Sequence, residues 1–270
     1  MAKTDLTKKL LKRFDRLTSQ RQNWETHWQE VADFMMPRKA DVTKTRSRGD
    51  KRTELIFDSS PLQAVELLSA SLHGMLTNPS TPWFSLRFKN SEMDDQDEAK
   101  EWLESATDVM YTAFNRSNFQ QEIFELYHDL ITFGTAAMFI EEDDEDLLKF
   151  STRHINEIYI AEDGKGRIDT VYRRFKISAR AAIQRFGDKV STKVTTVANK
   201  DPYEEVEIIH AVYPRSDFDI TKQDSSNMPF ESVYIEYKSG DELSVSGFRE
   251  FPFVVPRYLK ASHEIYGRSP

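Results

Sequence analysis

Residues 118–136, NFQQEIFELYHDLITFGTA, are where the chain changes character. Asn118 is a residue type that caps helix N-termini and Gly134 a type that ends helices, so a helix is expected between them. Beyond Thr135 the hydrophobic period changes from 3.6 to 2. Residues 136–139, Phe150, 155–160, 168–175 and 206–212 all read as strands. Asp163-Gly164, within 161–167, is a hairpin turn signal. One short helix interrupts at 178–186, capped by Ser178 and closed by Gly187. After Asp201-Pro202, strands are expected around 232–237 and 250–257, with Ser239-Gly240-Asp241 between them.

Upstream of Asn118 the pattern is helical. From Thr4, the apolar residues Leu6, Leu10, Phe14, Leu17, Trp24, Trp28, Val31 and Met35 recur every three or four positions until Pro37 forbids continuation. This is one long amphipathic helix with a candidate break near Ser19. Trp24 and Trp28 stand in line with the stripe and the polar face carries both signs, which favours packing on the protein's own core over a membrane surface. Ser60-Pro61 with Gln63 supplies cap, first-turn proline and capping-box partner for a helix over 61–73, ended by Gly74. Residues 76–88 read as a loop into a short strand. Asp94, Asp95, Asp97 and Glu98 place negative charge at the positive end of a helix running to about Asn115. The expectation is therefore an α+β fold, with a mainly helical region at 1–134 and a strand-rich region at 135–270.

With 39% hydrophobic residues, 30% charged residues, 18 Phe, 10 Tyr and 4 Trp, the chain is too aromatic to be disordered. It contains no Cys, which excludes disulfides, thiolate nucleophiles and Cys-based metal or iron–sulfur sites. No charged-then-apolar leader opens the chain and no apolar run approaches a bilayer span, so a soluble protein made in a cytoplasm is expected. There is no GxxxxGK[ST], no GxGxxG after a strand, no HExxH and no GxSxG. The six His are scattered singly, and nothing among 45 acids selects a catalytic pair. No cofactor, metal or catalytic residue is assigned, and the protein reads as a non-enzyme. The acidic run EEDDED at 141–146 lacks the glycine and spaced ligands of a calcium loop and reads as a solvated acidic loop.

Charge is segregated by segment. The net charge is −8, yet Arg38, Lys39, Lys44, Arg46, Arg48, Lys51 and Arg52 face only Asp41 and Asp50 within residues 38–52. With Gly49 and no apolar period, this stretch reads as an exposed, mobile loop. Its cations are candidates for contact with DNA phosphates or with an acidic surface on another subunit, such as 141–146. The acidic whole chain and the lack of interleaved aromatics favour solvent or a protein over DNA.

Six blocks, in order along the chain, resemble the head-to-tail connector (portal) proteins of short-tailed, T7-like bacteriophages. They are WETHWQEVADFMMPR (24–38), IFDSSPLQAV (56–65), LTNPSTPWF (76–84), NFQQEIFELYHDLITFGTA (118–136), VEIIHAVYPR (206–215) and PFVVPRYLKASHEIYGRSP (252–270). The resemblance implies a homo-oligomeric ring, usually dodecameric, at one capsid vertex of the virion, made in the bacterial cytoplasm. It further implies double-stranded DNA passing through the ring during packaging and ejection. The partners implied are scaffold and major capsid protein, the terminase motor and tail adaptor proteins, with no membrane and no hydrolysis. In that family the YGRSP-like block leads into the stem, clip and crown. This chain would thus be the outer, wing-like part, with Ser269-Pro270 as the start signal of a helix beyond it. A nucleic-acid-processing enzyme or its adaptor is the alternative, and a host-derived binding module a third reading.

Overall fold

The computed structural model describes residues 5–47, 49–89, 97–219, 221–222 and 224–270. Thr4, Arg48, Asp94 and Asp95, each used above, lie outside the described residues. Six α-helices and eight strands are found among them: α1 (Asp5–Met35), α2 (Ser60–Leu76), α3 (Asp97–Arg116), α4 (Phe119–Phe133), β1 (Ala137–Asp143), β2 (Leu147–Arg153), β3 (Ile158–Glu162), β4 (Ile168–Ser178), α5 (Ala179–Phe186), α6 (Thr192–Lys200), β5 (Glu205–Pro214), β6 (Phe230–Glu236), β7 (Glu242–Phe248) and β8 (Phe253–Val254). The fold mixes helix and sheet, and among the described residues the first strand begins at Ala137. The chain divides into two compact units that are discontinuous in sequence. Met1–Trp28 joins Asn156–Pro252, and Gln29–Ile155 joins Phe253–Pro270.

In the first unit, β3 to β7 pair antiparallel in sequence order. Alternation sends Tyr172, Ile209, Ala211, Tyr213, Val233 and Ile235 to one face, where Leu10 and Phe14 of α1 close a core. Phe175 and Ile208 point the other way, into a cluster with Ala179, Ala182 and Phe186 of α5 and Val194 of α6. The helix α1 is unbroken at Ser19, where the hydroxyls of Thr18 and Ser19 turn back to donate to the carbonyls of Phe14 and Asp15 instead of leaving the helix. The two short helices are capped alike, Ser178 accepting from the Ala181 amide and Ser191 from the Val194 amide.

The second unit builds its core from Phe119, Ile123, Leu126 and Tyr127 of α4 against Met138 and Phe150 of the sheet β2-β1-β8. Helices α2 and α4 run antiparallel, as the pairs Glu66–His128 and His73–Gln120 record. Asn118 does not use its side chain as a helix cap. Its carboxamide pairs with strand β2 instead, donating to Phe150 O at 2.8 Å and accepting from Phe150 N at 2.9 Å.

Several sequence expectations are corrected. Gly74 does not end α2, which continues to Leu76, and no capping box forms: Ser60 instead gives its amide and hydroxyl to Asp58. No strand is assigned within 76–88; the amides of Trp83 and Phe84 donate to the Tyr111 hydroxyl rather than to a neighbouring strand. Residues 155–157 form a 3-10 turn ahead of β3. The acidic run is not simply a loop, since Glu141, Glu142 and Asp143 end β1 and Asp143 accepts from the amides of Glu145 and Asp146 in the hairpin. Helix α6 and strand β7 were not foreseen.

Candidate functional site

The basic segment 38–52 belongs to the second unit and, beyond the turn at its start, is the irregular and largely exposed loop its composition leads one to expect, but several of its cations are engaged. Pro37 opens a 3-10 turn over Pro37–Lys39, and Ala40 behind it is fully buried. Four of the candidate cations fold back onto acids of their own unit. Lys39 Nζ lies 2.6 Å from Asp129 Oδ1 and 2.7 Å from Glu125 Oε1, both on α4. Lys44 Nζ lies 2.6 Å from Asp33 Oδ2, and Arg46 reaches Asp33 Oδ1 at 3.5 Å. Arg52 pairs with Asp41 at 2.6 Å and donates to the carbonyl of Arg38. Arg38 and Lys51 are exposed and make no ion pair among the described residues.

The electrostatics of the Lys39 site follow from burial. Enclosure pushes the Asp129 carboxyl up to about 6, against the pull of Lys39 in the other direction. Burial likewise works against the charged form of Lys39, yet Asp129 and Glu125 outweigh it and hold its ammonium above its usual range. His128, 3.2 Å from Glu66, is pushed down chiefly by burial. His154 caps the arrangement, with Nε2 2.8 Å from the carbonyl of Lys39.

Sequence reasoning missed the acids that organise this segment. Asp33 lies beside the apolar stripe at the end of α1, between Val31 and Met35, and Asp129 sits in the apolar run LYHDLITF. A carboxylate on a core-facing helical position is the available signal, because burial without a partner is costly. Asp33 and Asp129 are both buried and both meet cations of the basic segment.

An open hollow of about 550 Å³ lies between α3 and residues 82–87, lined by Phe84, Leu86, Lys100, Leu103, Glu104 and Tyr111. No group of three or more His, Asp and Glu is placed to hold a metal among the described residues. No described helix is long and apolar enough to cross a membrane.

The end of the chain is seated on α4. Gly134 caps that helix with φ +72°, and Gly267 passes so close that a Cβ on Gly134 would stand 2.5 Å from Gly267 O. The Gly267 amide donates to Thr135 Oγ1 at 2.8 Å, and the Tyr258 amide to Gly134 O at 2.9 Å. Thus FGT at 133–135 and YGR at 266–268, far apart in sequence, form one backbone contact.

The sequence profile of the bacteriophage head to tail connecting protein family matches residues 7–270. The chain belongs to that family. A protein called "Probable portal protein" from Bordetella phage BPP-1 is 35% identical over 276 residues, covering all of this chain and 50% of its own length. A "Portal protein" from Salmonella phage epsilon15 is 36% identical over 275 residues, again covering all of this chain and 49% of its own length. The chain spans about half the length of these curated relatives. The connector family's description names a structural junction and no chemistry. Of the six blocks that resemble the connector family, only VEIIHAVYPR lies wholly in the first unit. The block at 24–38 straddles the Trp28/Gln29 division, and the others lie in the second unit or, for 252–270, all but Pro252.

Proposed function

We propose that this chain is the wing-like part of a phage portal subunit, a component of the ring at one capsid vertex through which DNA is packaged, retained and ejected. The observation that carries the reading is full-length coverage of the chain by two portal proteins at 35% and 36% identity. Its jobs are structural: contacts with neighbouring copies, scaffold, coat protein and tail adaptors, while a terminase motor supplies the energy. In this reading the stem, clip and crown belong to the half of the relatives that this chain does not match, and the chain is not an enzyme.

Within that function the basic segment is a contact surface of limited charge. Seven free cations would release enough counterions to give a slope near −6 in log K against log salt on duplex DNA, whereas the three that no described acid engages, Arg38, Lys51 and Arg48 (which lies outside the described residues), give about −3. The engagement of Lys39, Lys44, Arg46 and Arg52 by internal acids supports the smaller number. A neighbouring copy's acidic hairpin at 141–146 is the competing partner for the same cations.

The test is mass in solution, by light scattering on a sizing column, of this chain beside a chimera in which the unmatched half of the epsilon15 portal protein follows Pro270. A closed ring of about a dozen copies is expected for the chimera and small species for the short chain. A chimera that stays monomeric across salt and concentration would overturn the reading.

A further inference from the structure

Gln29, on α1, is 5% exposed, and its carboxamide is the busiest polar group in the second unit's basic region. Its Oε1 accepts from three successive backbone amides, Val42 at 3.0 Å, Thr43 at 2.9 Å and Lys44 at 3.2 Å, and meets the Thr43 hydroxyl at 3.4 Å. Its Nε2 donates to Asp33 Oδ1 at 3.0 Å and to the carbonyl of Ala40 at 2.7 Å. Successive amides converging on one point make a concavity that seeks an oxygen. The amide head is the side-chain group that can fill it with one atom and give two protons with the other.

We infer that Gln29 is the positioning residue of the basic segment: it sets the turn at 40–44 and so delivers Lys44 to Asp33 and leaves Arg38 and Lys51 outward. The cations cannot do this themselves. Lys44 is half exposed, and exposed ion pairs hold geometry weakly. Backbone amides turned inward and left unmatched, by contrast, carry a penalty that the carboxamide removes. Gln29 also bonds Asp33, the acid that receives Lys44 and Arg46, so the turn and its counter-charge are fixed by a single side chain.

Two substitutions separate this role from simple packing. Gln29→Met keeps length and burial and removes every polar contact. Gln29→Glu keeps the acceptor for the three amides but, when ionised, turns a second oxygen toward Asp33 and the Ala40 carbonyl. Once protonated, its hydroxyl replaces one of the lost donors. Packing predicts Met to be the milder change, and positioning predicts Glu to be milder, increasingly so as pH falls.

The measurement is amide hydrogen exchange across 40–47 in the intact 270-residue chain, at pH 5 and pH 8 and corrected for intrinsic rates, with the amides of α4 as internal standard. In the wild type the amides of Val42, Thr43 and Lys44 should be protected by about 100-fold or more at both pH values. Gln29→Met should lose that protection at both, and Gln29→Glu should retain most of it at pH 5 and less at pH 8. Unprotected amides in the wild type, full protection in Gln29→Met, or a Gln29→Glu variant no better protected than Gln29→Met at either pH would each overturn the inference. Should Gln29→Met also loosen α4, the wild type and the pH response of Gln29→Glu still decide. Failure of every chain to bind a 30-base-pair duplex would remove DNA as a partner of the basic segment and leave the role of Gln29 standing.

Discussion

Lys39 Nζ stands 2.6 Å from Asp129 Oδ1, on a carboxylate that is entirely enclosed. The pair ties the start of the basic segment to α4, and it does so with a group that resists ionisation. Asp129 is pushed up to about 6 from 3.8, so the folded chain holds this proton more tightly than the unfolded one. The stability it contributes is fully present below about pH 4 and is lost as pH rises through 6. The change amounts to something on the order of 3 kcal/mol. Gln and Asn analogues cannot titrate, so Asp129→Asn should flatten this part of the profile. Urea midpoints of wild type and variant from pH 4 to 7.5 check it: the wild type should lose ground to Asp129→Asn across that range, and parallel curves would contradict the assignment.

Glycine substitutions should split by sign. Gly134→Ala places a Cβ 2.3 Å from the backbone of Arg268 at a φ of +72°, and Gly267→Ala places one 2.4 Å from Gly134 O. Each should destabilise by about 2–4 kcal/mol, and the double variant by less than the sum, since one displacement relieves both clashes. Gly74→Ala meets nothing within 4 Å inside a helix and should stabilise by up to about 1 kcal/mol. Denaturation of the four chains settles it, and equal effects at 74 and 134 would be inconsistent with the backbone contact described.

Arg21 should prove sensitive to a conservative change. It is 1% exposed, donates to the carbonyls of Asn156 at 2.8 Å and of Ile158, pairs with Glu25, and lies 3.9 Å over the Tyr159 ring. Lysine supplies a point charge where a planar fork is in use. Arg21→Lys should cost about 2 kcal/mol and Arg21→Ala about 3–5 kcal/mol. A thermal shift under 2 °C for Arg21→Lys would show that the fork is dispensable.

The α+β character was legible because the period change near Thr135 is a local property of the chain. The capping of α5 by Ser178 and the αL turn at Gly134 were legible for the same reason. What escaped depended on tertiary partners. Helix α6, TKVTTVANK, is rich in β-branched residues and is held by packing of Val194 into the α5 cluster. Strand β7 carries Gly247 and two serines, and only its pairing with β6 makes it a strand. In the basic segment the composition announced charge but not its neutralisation, because Asp33 and Asp129 lie outside the segment in sequence. The cluster of cations was visible; the reason most of them are occupied was not.

The seat of residues 266–268 on Gly134 also bears on the order in which the chain is finished. The segment Phe253–Pro270, with β8, completes the unit that Gln29–Ile155 begins, while nearly a hundred intervening residues build the other unit. A ribosome delivers residues in sequence, so the sheet around β1 waits with an open edge until the intervening unit has been synthesised. The other unit, Met1–Trp28 with Asn156–Pro252, whose five strands pair in order, has all its residues by then and can close first. Completion of the unit that carries most of the connector family's recognisable blocks is thereby the last step of synthesis for this stretch of chain.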